Sequence, residues 1–135
     1  VFSLSPDVKG GTLVELWYDA KIDRGIVQWL ATDDQYKTLM VGEDGPVGAP
    51  IVTQGPVAAA CGAPKQNGMR LVFITQAGLR TRVASKENAA LGPVELQLAE
   101  PGTVTQVVGA ATHPLGYAFV VWNTADGLRG RLVAP

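Results

Sequence analysis

The sequence repeats one pattern three times, and this repetition limits the possible folds more than any other feature. Residues 10–29, 55–74 and 103–122 align without a gap. Each has an apolar run, a polar or Pro/Gly break, and a second apolar run. The bulky residues that end the second run are Trp29, Ile74 and Trp122. The agreement lies in residue type more than in identity, and it predicts three equivalent structural units.

Each repeat has the pattern of four short β-strands. Apolar runs rich in Val, Ile and aromatic residues are bounded by Gly, Pro, Asn or Asp. The 16 Gly and 9 Pro residues interrupt any helical period, and residues 85–90 are the only candidate helical turn. Residues 42–50 are predicted to form a long turn. The predicted strands are residues 1–9, 12–18, 25–31, 36–41, 51–54, 57–62, 70–75, 79–84, 94–99, 104–109, 117–122 and 128–133.

Four short strands that recur about every 45 residues resemble the blades of a β-propeller. The resemblance covers nearly the whole chain and is generic, because no signature of a particular propeller subfamily is present. It implies one all-β domain, residues 1–135, with repeats at about 10–54, 55–102 and 103–135. The alternative is a β-trefoil, which also has three rounds of four strands. Only Gln28-Trp29 approaches the Gln-x-Trp motif of trefoils.

The third repeat lacks a fourth strand, and strand 1–9 precedes the first repeat. Strand 1–9 could therefore complete the last blade. Propellers usually have 4–8 blades, so three blades do not close a ring. We expect either two chains that exchange residues 1–5 and form six blades, or a chain that is half of a longer propeller.

Composition argues against several classes of partner. The formal net charge is −1, and no run of like charge is longer than Asp33-Asp34, so the basic patch that nucleic acid requires is missing. No apolar run approaches the ~20 residues that span a bilayer. Because the sequence starts at Val1 without Met, we expect either a processed protein, secreted or at the cell surface, or a piece of a longer chain.

Few residues suggest catalysis or metal binding. Cys61 lies in an apolar run and is predicted to be a core residue, and His113 is predicted to lie in a solvated turn. No Cys/His cluster has metal-binding spacing, and the acidic turns lack the alternating pattern of a calcium loop. We therefore expect no metal and no cofactor.

Six residues are the candidates for ligand contact. Two form an aromatic pair beside a charged turn, and the other four lie on or beside turns that a propeller would place on one face: Trp17, Tyr18, Asp33, Asp34, Asn123 and Asp126. These residues favour a non-catalytic scaffold or recognition module that binds protein or glycan through its loops. The alternative is a glycosidase- or lyase-like enzyme with its site at the channel mouth, although no Arg cluster or Tyr nucleophile accompanies the acidic residues of these turns.

Overall fold

A computed structural model describes Leu4, residues 7–92 and residues 96–135 of the chain, and it confirms the all-β class. The described residues form eleven strands and one short 3-10 helix, Pro64–Gln66. The strands are β1 (Glu15–Asp19), β2 (Arg24–Leu30), β3 (Tyr36–Gly42), β4 (Gly45–Thr53), β5 (Val57–Ala63), β6 (Gly68–Thr75), β7 (Gly78–Ser85), β8 (Leu96–Ala99), β9 (Val104–Thr112), β10 (Ala118–Thr124) and β11 (Gly127–Val133).

The strands form three separate antiparallel sheets, and in each sheet the order along the chain is the order in space. Sheet 1 contains β1 to β4, sheet 2 contains β5 to β8, and sheet 3 contains β9 to β11. The first strands of the sheets lie side by side, because β5 contacts both β1 and β9. The sheets therefore meet along their first strands, and sheet 2 lies between the other two.

Most predicted strands are confirmed within one to three residues at each end. The predicted strand 1–9 lies largely outside the described residues, although Val8 forms an isolated bridge with Ala31. Residues 94 and 95 of the predicted strand 94–99 also lie outside them. The candidate helical turn at residues 85–90 is a non-helical turn, closed by a hydrogen bond from the Ser85 amide to the Ala90 carbonyl.

The prediction of a long turn at residues 42–50 was wrong. A two-residue turn, Glu43-Asp44, joins β3 directly to β4, and β4 extends from Gly45. The two prolines in this segment had argued for a turn. β4 is the outermost strand of its sheet, where a residue without an N–H group can be accommodated because one edge of the strand forms no ladder.

Two apolar cores fill the spaces between neighbouring sheets. Ile26 and Met40 of sheet 1 pack with Leu71 and Phe73 of sheet 2. The second core includes Val72 of sheet 2 and, from sheet 3, Val120 and Trp122. Side chains on a strand alternate between its two faces. Sheet 2 is thus buried on both faces, which explains the continuous apolar runs of β5 and β6.

The register of the strands corrects the alignment of the middle repeat. The gap-free alignment equates Ile74 with Trp29 and Trp122, but the Ile74 side chain is 37% exposed. Phe73 is the structural equivalent, because it is buried against sheet 1 as Trp122 is buried against sheet 2. A displacement by one residue moves a strand side chain to the opposite face. The three aromatic residues pair with basic residues on the third strands: Trp29 with Lys37, Phe73 with Arg80, and Trp122 with Arg129.

Polar contacts also join the first strands. The Gly62 amide in β5 donates to Asp19 Oδ2 in β1 at 3.2 Å, and the Gly62 carbonyl accepts from Thr112 Oγ1 in β9 at 2.6 Å. Closer to the other ends of these strands, Gln28 Nε2 donates to the Val57 carbonyl at 2.9 Å, and Gln28 Oε1 accepts from the Val57 amide. Through Gly62, β5 therefore connects sheet 2 to both neighbouring sheets.

The corrected alignment predicts different effects for two adjacent substitutions in β6. Phe73→Ala removes a buried aromatic ring between two sheets and should lower the free energy of unfolding by about 3–5 kcal/mol. Ile74→Ala removes a partly exposed side chain and should cost about 1 kcal/mol or less. Urea unfolding of both variants measures the difference. A larger loss for Ile74→Ala would restore the gap-free alignment.

Burial also predicts the reactivity of the single thiol. Cys61 is buried between sheets 2 and 3, as expected from its apolar neighbours. Burial raises the pKa of the Cys61 thiol, and a hydrogen bond with Thr112 offsets part of this rise. The thiolate is the reactive form, so folded protein at pH 7.5 should react with iodoacetamide far more slowly than protein unfolded in urea. Equal labelling rates in the two states would place Cys61 outside the core.

Candidate functional site

A cleft runs along the edge of the molecule where the first strands begin, and residues of all three sheets line it. One part, of about 540 Å³, is lined by Glu15 of sheet 1, Val57 of sheet 2 and Gln106 of sheet 3. A second part, of about 740 Å³, lies between sheets 1 and 2. The two parts share Tyr36, and we call them together the edge cleft.

The positions of the turns in each sheet explain why the residues that line the edge cleft lie close together. In each sheet, the entry to the first strand and the turn after the second strand lie at the same edge, because neighbouring strands are antiparallel. Residues 31–35 and 76–77 are turns after second strands, and residues 54–56 and 100–103 lead into first strands. These four segments therefore share one edge.

Amide side chains dominate the polar part of the lining. Five of the seven glutamines in the sequence lie there: Gln28, Gln35, Gln54, Gln76 and Gln106. An amide offers both hydrogen-bond donors and an acceptor without charge. Gln28 is buried and holds the backbone of Val57, whereas Gln54 and Gln76 are exposed. The exposed amides are thus the ones available to a ligand.

Tyr36 supplies an aromatic ring at the centre of the edge cleft. It begins β3, directly after the turn at residues 31–35, and its side chain is partly buried. Leu13 and Ile74 contribute exposed apolar surface to the lining. An aromatic face combined with amide groups can hold a ligand that has both apolar faces and hydroxyl or amide groups.

Two acidic side chains reach the lining, and one of them is paired. Asp34 lines the second part of the edge cleft and forms an ion pair with Lys9. Its neighbour Asp33 accepts a hydrogen bond from the backbone amide of Gln35 at 3.1 Å. A carboxylate oxygen of Asp33 also lies 3.7 Å from Lys37 Nζ. These bonds fix the shape of the turn. Glu15, the other acidic residue of the lining, belongs to β1.

The six candidate residues from the sequence do not form one site. Trp17 packs against the core between sheets 1 and 2, and Tyr18 is exposed near the opposite edge. The Tyr18 hydroxyl donates to Asp23 Oδ1 at 2.9 Å, and this bond raises the pKa of Tyr18. Asn123 and Asp126 are in sheet 3, at the end of β10 and in the turn after it. Asp34 is the one candidate of the six that lines the edge cleft.

Sequence reasoning missed Tyr36 and most of the glutamines. Gln35 and Gln76 follow the second strands of sheets 1 and 2, and Gln54 precedes the first strand of sheet 2. This recurrence in equivalent loops is a signal that the sequence contained. Trp29 and Trp122 do not line the edge cleft, because both side chains are buried.

Other features of the described residues do not add a second site. His113 is exposed in the turn before β10, where its Nδ1 accepts from the Leu115 amide at 3.1 Å. The described part of the chain contains no cluster of three or more His, Cys, Asp or Glu residues arranged for a metal ion. Within the same residues, no helix has the length and apolar character needed to cross a bilayer.

Comparison with known proteins does not assign a family. No protein-family model matches the sequence, and no curated protein matches it. The function must therefore be argued from the edge cleft and from the arrangement of the sheets.

Proposed function

We propose that this protein is a non-catalytic recognition module and forms half of a six-bladed β-propeller. Two features support the architecture. Each sheet is an antiparallel meander, and the first strands of the three sheets lie next to one another. In a propeller, the first strands line a central channel and the blades radiate from it. We prefer this architecture to a trefoil because each repeat forms its own open sheet.

The edge cleft is the proposed binding site, and its composition is the observation that carries the proposal. It lies where the three first strands begin, which is the mouth of the proposed channel. The lining offers amides and a tyrosine ring, and the one acidic turn residue in it is paired with a lysine. Such a lining suits a neutral ligand with many hydroxyl or amide groups. A glycan fits this description, and a protein segment is the alternative ligand.

An enzyme of the glycosidase or lyase type remains the second candidate function. Glu15 and Asp34 both reach the edge cleft, and two carboxylates are the usual requirement for glycoside hydrolysis. Glu15 lines the first part of the edge cleft, whereas Asp34 lines the second part and is paired with Lys9. Glycoside hydrolysis needs both carboxylates beside one scissile bond, so this separation favours binding over catalysis.

The proposal predicts that binding depends on Tyr36 and the exposed amides. On a glycan array, the intact protein should bind a subset of neutral glycans. Tyr36→Ala and Gln54→Ala should each weaken binding of the best glycan at least about tenfold, a loss of about 1.4 kcal/mol. Leu115→Ala is the control, because Leu115 is exposed in the turn between β9 and β10 and does not line the edge cleft.

Three outcomes separate the alternatives. Equal binding by the Tyr36 and Leu115 variants would remove the edge cleft as the site. Binding of protein segments in a peptide array, with no glycan bound, would assign the cleft to the alternative ligand. Turnover of chromogenic glycosides that is lost in Glu15→Gln would establish the enzyme instead.

A further inference from the structure

The two outer sheets each have one face that no other sheet covers in the described part of the chain. On sheet 1 this face, here called the sheet 1 outer face, includes the apolar residues Leu16, Tyr18, Val27, Trp29, Leu39 and Val41, together with Lys37. On sheet 3 it consists of Ala111, Phe119, Val121, Leu128 and Leu132, here called the sheet 3 outer face. Both sets follow from the strand register, because directly paired residues point to the same face.

Both outer faces expose large apolar side chains. Leu16 is 64% exposed and Leu132 is 62% exposed, and Phe119 and Leu128 are also exposed. The charged residues of β11, Arg129 and Arg131, alternate with these leucines and therefore point to the opposite face of sheet 3. On the sheet 1 outer face, the charge of Lys37 is paired with Asp7. Exposed apolar surface of this kind is characteristic of an interface.

The sheet 1 outer face is equivalent to surfaces that are buried elsewhere in the same chain. The equivalence of Trp29, Phe73 and Trp122 places it in the same position as the face of sheet 2 that packs on sheet 1. It also corresponds to the face of sheet 3 that packs on sheet 2. When sheets 1 and 2 are aligned by these aromatic residues, the exposed Leu16 of β1 occupies the position of the buried Ala60 of β5.

The sheet 3 outer face corresponds to the opposite partner in these contacts, for example to the face of sheet 1 that packs on sheet 2. Relative to the equivalent aromatic residues, Phe119 occupies the position of Ile26, and Leu132 occupies the position of Met40. Ile26 and Met40 are among the fully buried side chains of the core between sheets 1 and 2. The chain therefore builds one type of sheet-to-sheet contact twice and leaves one half of that contact open at each end.

We infer that the partner on both outer faces is a second copy of this chain. The sheet 1 outer face of each copy would pack on the sheet 3 outer face of the other, repeating the contact that each chain already makes twice. This inference rests on the proposed half-propeller, and it specifies the surfaces that close it. Two copies related by a twofold axis bring six sheets into one ring and cover all four open faces.

Two further observations agree with a second copy. Leu4 packs against the cluster of Trp29, Ala31 and Leu39, so this residue lies on the sheet 1 outer face. In the dimer, Leu4 would then lie near the partner's sheet 3, whose edge strand β11 has no neighbour on one side among the described residues. An unpaired strand edge is a template for strand addition. The exchange of residues 1–5 expected from the sequence uses the same contact, although most of these residues lie outside the described part.

The test is a complementation experiment with two variants measured by analytical ultracentrifugation. The intact chain should sediment with twice the 14.2 kDa mass of one chain. Leu16→Lys and Leu132→Asp each place a charge in both copies of the interface, so each should weaken self-association at least about a hundredfold. In an equimolar mixture, one interface is unaltered and the other contains both opposite charges. The mixture should therefore recover the dimer.

Leu115→Lys is the matched control, because Leu115 is 63% exposed but lies in the turn between β9 and β10. It should leave the dimer intact, and thermal melts of all variants check that each one folds. A monomeric intact chain would overturn the inference, as would open-ended oligomers, unchanged dimers in both variants, or a mixture that stays monomeric.

The outcome is independent of the test of the edge cleft. A monomer that still binds a glycan through Tyr36 would remove the second copy and leave the recognition function. A dimer that the mixture restores, with no ligand bound in the edge cleft, would establish the assembly and remove the proposed binding site.

Discussion

The backbone of Gly62 in β5 lies between the first strands of the other two sheets and forms hydrogen bonds with both of them. Its amide donates to the carboxylate of Asp19 in sheet 1, and its carbonyl accepts from the hydroxyl of Thr112 in sheet 3. A Cβ at this position would lie 2.6 Å from the Asp19 carboxylate. A side chain at this position would therefore displace the Asp19 carboxylate and disturb its hydrogen bond with the Gly62 amide.

The close approach of the first strands determines how the later strands of each sheet are arranged. The small residues of β5 let β1 and β9 lie against it, and the sheets diverge towards their later strands, where larger side chains fill the two cores. The edge cleft is a consequence of the same geometry, because the loops that enter the first strands meet where those strands meet. The open outer faces of sheets 1 and 3 have the same origin. Three sheets that lie side by side leave one face of each outer sheet uncovered.

The sequence was sufficient for much of the fold, because strand periodicity and turn residues are local signals. It failed where the answer depended on position in the assembled sheet. Pro46 and Pro50 indicated a turn, yet they belong to an edge strand that tolerates them. Ile74 matched two tryptophans in sequence, yet the face that a strand residue occupies changes with a one-residue displacement. Tyr36 is unremarkable in the sequence and becomes central because two separate loops lie beside it.

The most direct test of this account is the stability of Gly62→Ala, measured by urea unfolding against Gly10→Ala. Gly10 lies in the loop before β1, and a Cβ there would meet no atom within 4 Å. If the shared contact at Gly62 holds the sheets together, Gly62→Ala should lower the free energy of unfolding by about 1–3 kcal/mol, the usual cost of forcing an added methyl group into a packed site. Gly10→Ala should change it by less than about 0.5 kcal/mol. Equal stability of the two variants would contradict the account.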